Sequence, residues 1–544
     1  MFHRSTTVPN SKRPRLVAGI LGAGLIAGSL SGVTASASTS GMTVVGSVEQ
    51  VYVTGLTPGA AVNLLDPDGA VVETRTANPL GGTLFRKVAP DLGYTVESEG
   101  ETSAPVQVHD ASPAPWNPNI YQQSMPSSGY GYLTTRDGTK LAYTVHPPTS
   151  PAGQPGLPHG TQLPSTGTAY LPPYPTLIEY SGYATGKPDG PQSGIAILAN
   201  LMGFAVVDVN IRGTGCSGGA FDFFETLQGL DGYDIVETVA RQPWVKGNKV
   251  GMLGISYGGI SQLFTAQHQP PSLAAITPLS VIDATATTLY PGGNLNTGFA
   301  VEWALGRQRD AVPAGPGQGQ RYAWDRIQAG DTVCAQNQTL HYEAADLMQA
   351  IRDNTHYRPE IADPLDPVTF VNKIKVPTFL ACQWQDEQTG GHCPELVRNF
   401  TGTDKIWATF TNGPHIDSLH PDTYNRWFDF LMLYVAKEAP IVKSALNRAA
   451  APVVFQAAMG LPQDQIATLP VDPVQLMPTY DLALAEFEKQ PKVRILFDNG
   501  AGTSPTGQTV AGNPYAGYAM NFDDLPVPGT SNQSWFLNSD GRLT

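Results

Sequence analysis

The chain has 544 residues, 41% hydrophobic and 14% charged, a balance that excludes a disordered or fibrous protein and calls for two or three domains. Its formal charge of −14 excludes nucleic-acid binding through an overall positive field. The four cysteines, Cys216, Cys334, Cys382 and Cys393, lack zinc-site spacing and permit two disulfides, with Cys382 and Cys393 the expected pair.

Residues 1–37 read as a secretory signal peptide: basic "RSTTVPNSKRPR", apolar "LVAGILGAGLIAGSLSGV", then "TASAS" with an A-x-A site ending at Ala37. Its removal takes four basic residues and no acidic one, leaving a mature charge of −18. No later segment runs to about 18 continuous apolar residues, so a soluble, secreted protein with no membrane attachment after cleavage is expected. Residues 41–112 alternate short β-type runs ("VEQVYVTGL", "AVVETRTA") with turn signals ("TPGA", "DPDG"), the pattern of a small β-sandwich module. "GYLTTRDGTKLAYTV", residues 131–145, is a predicted hairpin in which Asp137 and Gly138 supply positive φ angles, and a Pro/Gly-rich connection follows to about residue 173.

From residue 175 the period changes. "PTLIEY", "FAVVDV", "KVGMLGI", "LAAITPLS", "VPTFLAC" and "KIWATFT" are nearly continuous apolar runs, several alternating with helical stretches such as "DGYDIVETVARQPW". Strands buried on both faces of a parallel sheet read this way, so residues 116–440 form a predicted α/β domain. Residues 284–372 ("FAVEWALGRQRD", "YEAADLMQAIRDN") are predicted as a helical cap inserted over the sheet edge. Residues 450–544 return to β-type runs ("KVRILFDNG", "QSWFLNSDG") and are predicted to form a C-terminal β domain.

The chemistry centres on "GMLGISYGGISQLF", where Ser256 sits between a strand-like run and a predicted helix. A serine hydroxyl becomes a nucleophile when a base removes its proton and when the backbone projects it at the substrate, which a sharp strand-to-helix turn achieves. The backbone N–H of Tyr257 is then one donor for the oxyanion. A downstream acid and a histidine complete such a site. "VPTFLACQWQDEQ" places Asp386 just past one strand and "KIWATFTNGPHID" places His415 just past the next; Glu387 and Asp417 are rival acids and His420 a rival base.

These residues, with the ordered landmarks "RDGTKLA", "YPTLIEYSGY", "GFAVVDVNIRGTGCSGGAF", "GISYGG", "VPTFLACQWQD", "GPHID", "RWFDFL", "FDNGAG" and "WFLNSDGRL", resemble the family of X-Pro dipeptidyl-peptidases and cocaine-esterase-type acyl hydrolases from about residue 131 onward. The resemblance implies an α/β-hydrolase core, a helical cap and a C-terminal jelly roll, here only partly present. It also implies that Ser256 is the nucleophile, Asp386 the acid, His415 the base, and that the Tyr183 hydroxyl completes the oxyanion hole. Two departures stand out. Asn210 occupies the place of an acid before the Arg-Gly of "NIRG", which leaves the ion pair of Arg212 open, and "GPH" is two residues short, which leaves His420 in play.

The resulting expectation is a secreted serine hydrolase acting on a small peptide or ester without metal or cofactor, with X-Pro dipeptide release placed ahead of acyl-ester or amino-acid-ester cleavage. Release of a dipeptide calls for a carboxylate or several carbonyls in a closed pocket to hold the free ammonium; Glu302 and Glu387 are the candidate carboxylates. A reading from another class is a catalytically silent surface-binding protein on the same scaffold.

Overall fold

The computed structural model describes residues 36–37, 41–148, 170–188, 193–459, 461–462, 464–505, 507 and 514–543. The expected signal peptide lies outside them except for Ser36–Ala37, which pair with Thr43 and Val44.

The centre is a ten-stranded sheet. Its strands are β1 (Gly129–Thr134), β2 (Lys140–His146), β3 (Thr176–Ser181), β4 (Ala205–Asn210), β5 (Val250–Ile255), β6 (Leu273–Leu279), β7 (Thr378–Gln383), β8 (Ile406–Thr411), β9 (Val493–Phe497) and β10 (Tyr518–Phe522). They lie in the order β1-β2-β4-β3-β5-β6-β7-β8-β9-β10, and every neighbouring pair from β4 to β9 is parallel. All residues of β3, β4 and β7 are buried, which is why these runs carry no polar alternation. Helices α1 (Gly194–Leu201), α2 (Thr226–Ala240) and α3 (Tyr257–Ala266) cover the sheet. This is the expected α/β-hydrolase core. Parallel strands end on one edge, and the loops after β3, β5, β7 and β8 therefore gather there, with Tyr183, Ser256, Asp386 and His415 on them.

Between β6 and β7 lies the cap, with helices α4 (Phe299–Ala311), Arg321–Gln328, Thr332–Asn337 and Leu347–Asp353. A disulfide joins Cys216, in the loop after β4, to Cys334 of the cap. A second, Cys382–Cys393, closes the loop that carries Asp386, as expected.

The β1–β2 hairpin forms, but Asp137 does not take a positive φ; only Gly138 does, at 83°. The loop runs over Thr135–Thr139, longer than a two-residue turn, and Asp137 stays within it as an acceptor for Thr139 N–H (3.1 Å) and Thr135 Oγ1 (2.9 Å).

In the N-terminal segment one sheet holds Thr43–Gly46, Gln50–Thr54 and Thr83–Arg86, and another holds Ala61–Leu65, Val71–Thr76 and Asp91–Ser98. Val44, Val53, Val62, Leu64, Phe85 and Val96 form their common core. After residue 440 the structure differs from the expected separate β domain. Ile441–Met459 and Tyr480–Glu488 are helical, and β9 and β10 extend the central sheet because the apolar run Val493–Phe497 pairs with β8. "QSWFLNSDG" contributes only an isolated bridge, Leu537 to Leu543.

Candidate active site

Ser256 stands between β5 and α3 at φ 60° and ψ −124°, a conformation that costs a non-glycine residue energy and projects its hydroxyl out of the chain. Two glycines make the turn possible. A Cβ on Gly254, itself at φ 152°, would meet the Gly258 backbone at 2.5 Å, and one on Gly259 would meet Leu279 O at 2.7 Å. The Ser256 N–H is fixed to Leu279 O at 2.9 Å. Tyr257 opens a ten-residue helix, so its N–H has no intrahelical partner and faces the start of the turn.

Asp386 is buried, and its Oδ1 accepts the N–H groups of Gln388 and Thr389, each at 2.8 Å. Its Oδ2 lies 2.7 Å from His415 Nδ1. Burial alone would raise the carboxyl's pKa, but the hydrogen bond and charge of His415, with the Thr389 contacts, outweigh it and carry Asp386 below the ordinary carboxylate range. An ionised carboxylate only accepts, so the proton sits on Nδ1 and Nε2 keeps a lone pair for a serine proton.

The rivals have other partners. Asp417 is hydrogen-bonded by Asn499, and burial pushes it up to about 6. His420 is fully buried and held down to about 4 by that burial, and its Nδ1 accepts the Asp422 N–H (3.1 Å) at the start of helix α5 (Pro421–Leu431). Glu387 is exposed and accepts the His415 N–H at 2.9 Å, holding the main chain of that histidine. Glu302 is exposed on α4.

Sequence reasoning missed the groups that hold these residues. The Ser280 hydroxyl has one proton and two acceptors in reach, Gln383 Oε1 (2.9 Å) and His415 O (2.8 Å). The reverse orientation of the Gln383 amide resolves this: it donates to Ser280 Oγ (2.9 Å) and Asp386 Oδ2 (3.3 Å) and accepts from Ser418 N–H (2.8 Å). Ser280 then gives its proton to His415 O. Since Leu279 holds Ser256 and Ser280 holds His415, two successive residues at the end of β6 tie nucleophile to base.

Tyr183 is half-buried, and its hydroxyl accepts a hydrogen bond from Trp303 Nε1 of the cap at 2.9 Å. The Arg307 guanidinium lies 4.6 Å from the same ring. A hydroxyl that accepts one bond becomes a stronger donor for the next. Trp303 and Arg307 are four apart on one helix, a spacing that puts both on one face, and that was the available signal. Below, Gln320 donates to Gly182 O (2.9 Å) and accepts from Asn210 (2.9 Å), so Asn210 positions the Tyr183 loop. Arg212, whose pairing the sequence left open, binds Asp137 (3.0 Å) and Asp231 (2.7 Å).

Ser256 lines a small pocket of about 110 Å³ together with Phe223, Phe224, Ile260, Ile282, Trp303 and Ala304. Among the described residues, neither Glu302, Glu387 nor any other carboxylate lines it.

Residues 161–417 match the family model of the X-Pro dipeptidyl-peptidases (S15 family), and the resemblance read from the motifs is borne out over that segment. Two proteins named as candidate serine esterases, from Mycobacterium bovis and Mycobacterium tuberculosis, are each 32% identical over 192 residues, 33% of this chain. The chain spans 28% of the length of these curated relatives. Among solved structures, a CocE/NonD family hydrolase from Staphylococcus aureus is similar with a TM-score of 0.47 and 16% identity, covering 76% of this chain and 58% of that one. An aminopeptidase from a marine-sediment Thaumarchaeota archaeon gives 0.44 and 13%, covering 78% and 64%.

Proposed function

We propose that the chain is a serine hydrolase that cleaves an acyl bond through an acyl-enzyme on Ser256. The observation that carries this reading is the strained Ser256 elbow on the same sheet edge as a 2.7 Å His415–Asp386 pair. His415 Nε2 takes the Ser256 proton as Oγ attacks the acyl carbon, and Asp386 holds the imidazole in the required tautomer. The oxyanion is received by the Tyr183 hydroxyl and the Tyr257 N–H. His415 then protonates the leaving group, and water, activated by the same imidazole, frees the acyl group. No step of this scheme calls for a metal or organic cofactor.

For the substrate, the apolar lining beside Ser256 supports an ester with a neutral acyl group over an X-Pro dipeptide. A free ammonium placed there would lose its hydration with no carboxylate among the described lining residues to replace it. Dipeptide release stays as the second reading because the family description favours it. Export is part of the proposal and rests on the leader ending at Ala37 and on the paired cysteines. No described helix is long and apolar enough to cross a membrane.

The test is a panel of p-nitrophenyl acetate, an X-Pro p-nitroanilide with a free amine, and its N-acetylated twin, run on wild type and Ser256→Ala. Ester turnover that vanishes in Ser256→Ala, with both anilides resistant, is expected. Faster release from the free-amine anilide would favour the dipeptidyl-peptidase, and inertness to all three would favour the silent scaffold.

A further inference from the structure

The pocket that contains Ser256 is too small for most substrates, since ligand sites run to about 300–1,000 Å³. A second cavity adjoins it. Thr285, Leu289, Leu347 and Leu365 line the small pocket and also line this second cavity of about 480 Å³, open to solvent, between the cap and the loop after β7. The shared side chains form a threshold between the two, three of them leucines. Beyond it the walls include Pro291, Ile351, Ile361 and Ala362. The exposed rim also carries His356, His392 and Arg358, the last paired with Glu360 at 3.0 Å.

The direction of a bound substrate follows from the mechanism. His415 must reach the leaving group to protonate it, so the leaving group lies on the side of His415. The small pocket is lined by Ser256 and not by His415, and it therefore takes the acyl side. An acyl chain that outgrows the small pocket has the leucine threshold as its apolar exit. We infer that the cap cavity is an acyl-chain subsite, and that the enzyme takes esters of medium to long, straight, uncharged acyl chains whose distal methylenes pass Leu289, Leu347 and Leu365 into it. This inference rests on the serine-hydrolase reading above and names its substrate class. A neutral chain suits the leucine threshold, which a charged chain end would have to cross without its hydration.

The experiment is a series of p-nitrophenyl esters from acetyl to dodecanoyl, with kcat/KM measured for wild type, Ala362→Trp and Ile361→Ala. Each buried methylene is worth about fourfold, so the octanoyl-to-acetyl ratio in wild type should be large, about 10² or more. Ala362→Trp, which fills the cavity and does not touch Ser256's pocket, should reduce that ratio at least about tenfold. Ile361→Ala should keep it and move the optimum to longer chains. Acetyl-ester turnover reports folding and the serine chemistry separately. A flat or falling profile with the acetyl ester still hydrolysed would overturn the subsite and leave the hydrolase reading standing. A steep profile unchanged by both substitutions would place the chain elsewhere and also overturn it. Absence of turnover of every ester in the series in wild type would remove the hydrolase reading itself, and the subsite with it.

Discussion

Tyr183 and Trp303 are 120 residues apart in sequence and 2.9 Å apart in space. With its hydroxyl already accepting from the indole, Tyr183 has its own proton available for an oxyanion. Tyr183→Phe should lower kcat by about 10²–10³ with little change in KM, the cost of one oxyanion donor. Trp303→Phe keeps a ring but loses the N–H, and its kcat should fall less, by about tenfold. Steady-state kinetics on one ester separates these outcomes from a loss confined to KM, which would make Trp303 a wall of the pocket only. At His420 the prediction is one of stability. Its folded pKa, about 4, lies below the ordinary histidine value, so between about pH 6.5 and 4 the unfolded chain takes up a proton that the folded one refuses. Its contribution is fully present above about pH 6.5 and is lost as pH falls towards 4, by about 3 kcal/mol across the window. His420→Asn can still cap α5 and does not titrate; urea denaturation at pH 7 and pH 4.5 should show the variant gaining on wild type at the lower pH. Ser256, Asp386 and His415 were legible because each follows an apolar run that could only be a buried strand. Trp303, Ser280 and Gln383 were not, because their contacts join segments that no local period connects.

At the scale of elements, the loops after β7 and β8 must hold their shape for Asp386 and His415 to meet, and the Cys382–Cys393 disulfide closes the first across a separation of 11 residues. Cys216–Cys334 closes 118 residues and ties the cap to the core. In the chain-entropy account the long closure stabilises by about 5 kcal/mol and the short one by about 3 kcal/mol. The Cys216→Ser/Cys334→Ser pair should therefore lower the denaturation midpoint more than Cys382→Ser/Cys393→Ser. The second pair should instead lower kcat more, because it frees the loop of Asp386. Reversal of both rankings in paired melting and kinetic measurements would contradict this division of labour. The strands of the core were legible from their continuous apolar runs, and the cap as a helical insertion where the alternation of strand and helix lapses. The positions of β9 and β10 were not, because an apolar run such as "KVRILF" announces a strand without naming its neighbour, and the exposed edge of β8 decided it.

Across the whole molecule, one buried ionic cluster joins the N-terminal segment to the core. Arg212 bridges Asp137 and Asp231, and Asp137 also accepts from Ser47 Oγ at 2.8 Å, while Tyr52 donates to Asp137 O at 2.8 Å. Opposing charges with complete hydrogen bonding can be buried together, whereas either alone would be costly. The sequence showed Arg212 without an acid beside it; its partners come from the β1–β2 turn and α2, which only the fold brings together. The same fold sets Ser256 in a small apolar pocket beneath the cap and puts an ionised Asp386 behind His415. That arrangement has one direct consequence, a single hyperreactive serine. Treating the protein with a fluorophosphonate and mapping the adduct by peptide mass spectrometry tests it. The account predicts one stoichiometric adduct on Ser256, lost in His415→Ala and coincident with loss of ester turnover; ester hydrolysis that survives with Ser256 unmodified, or an adduct on another residue, would contradict it.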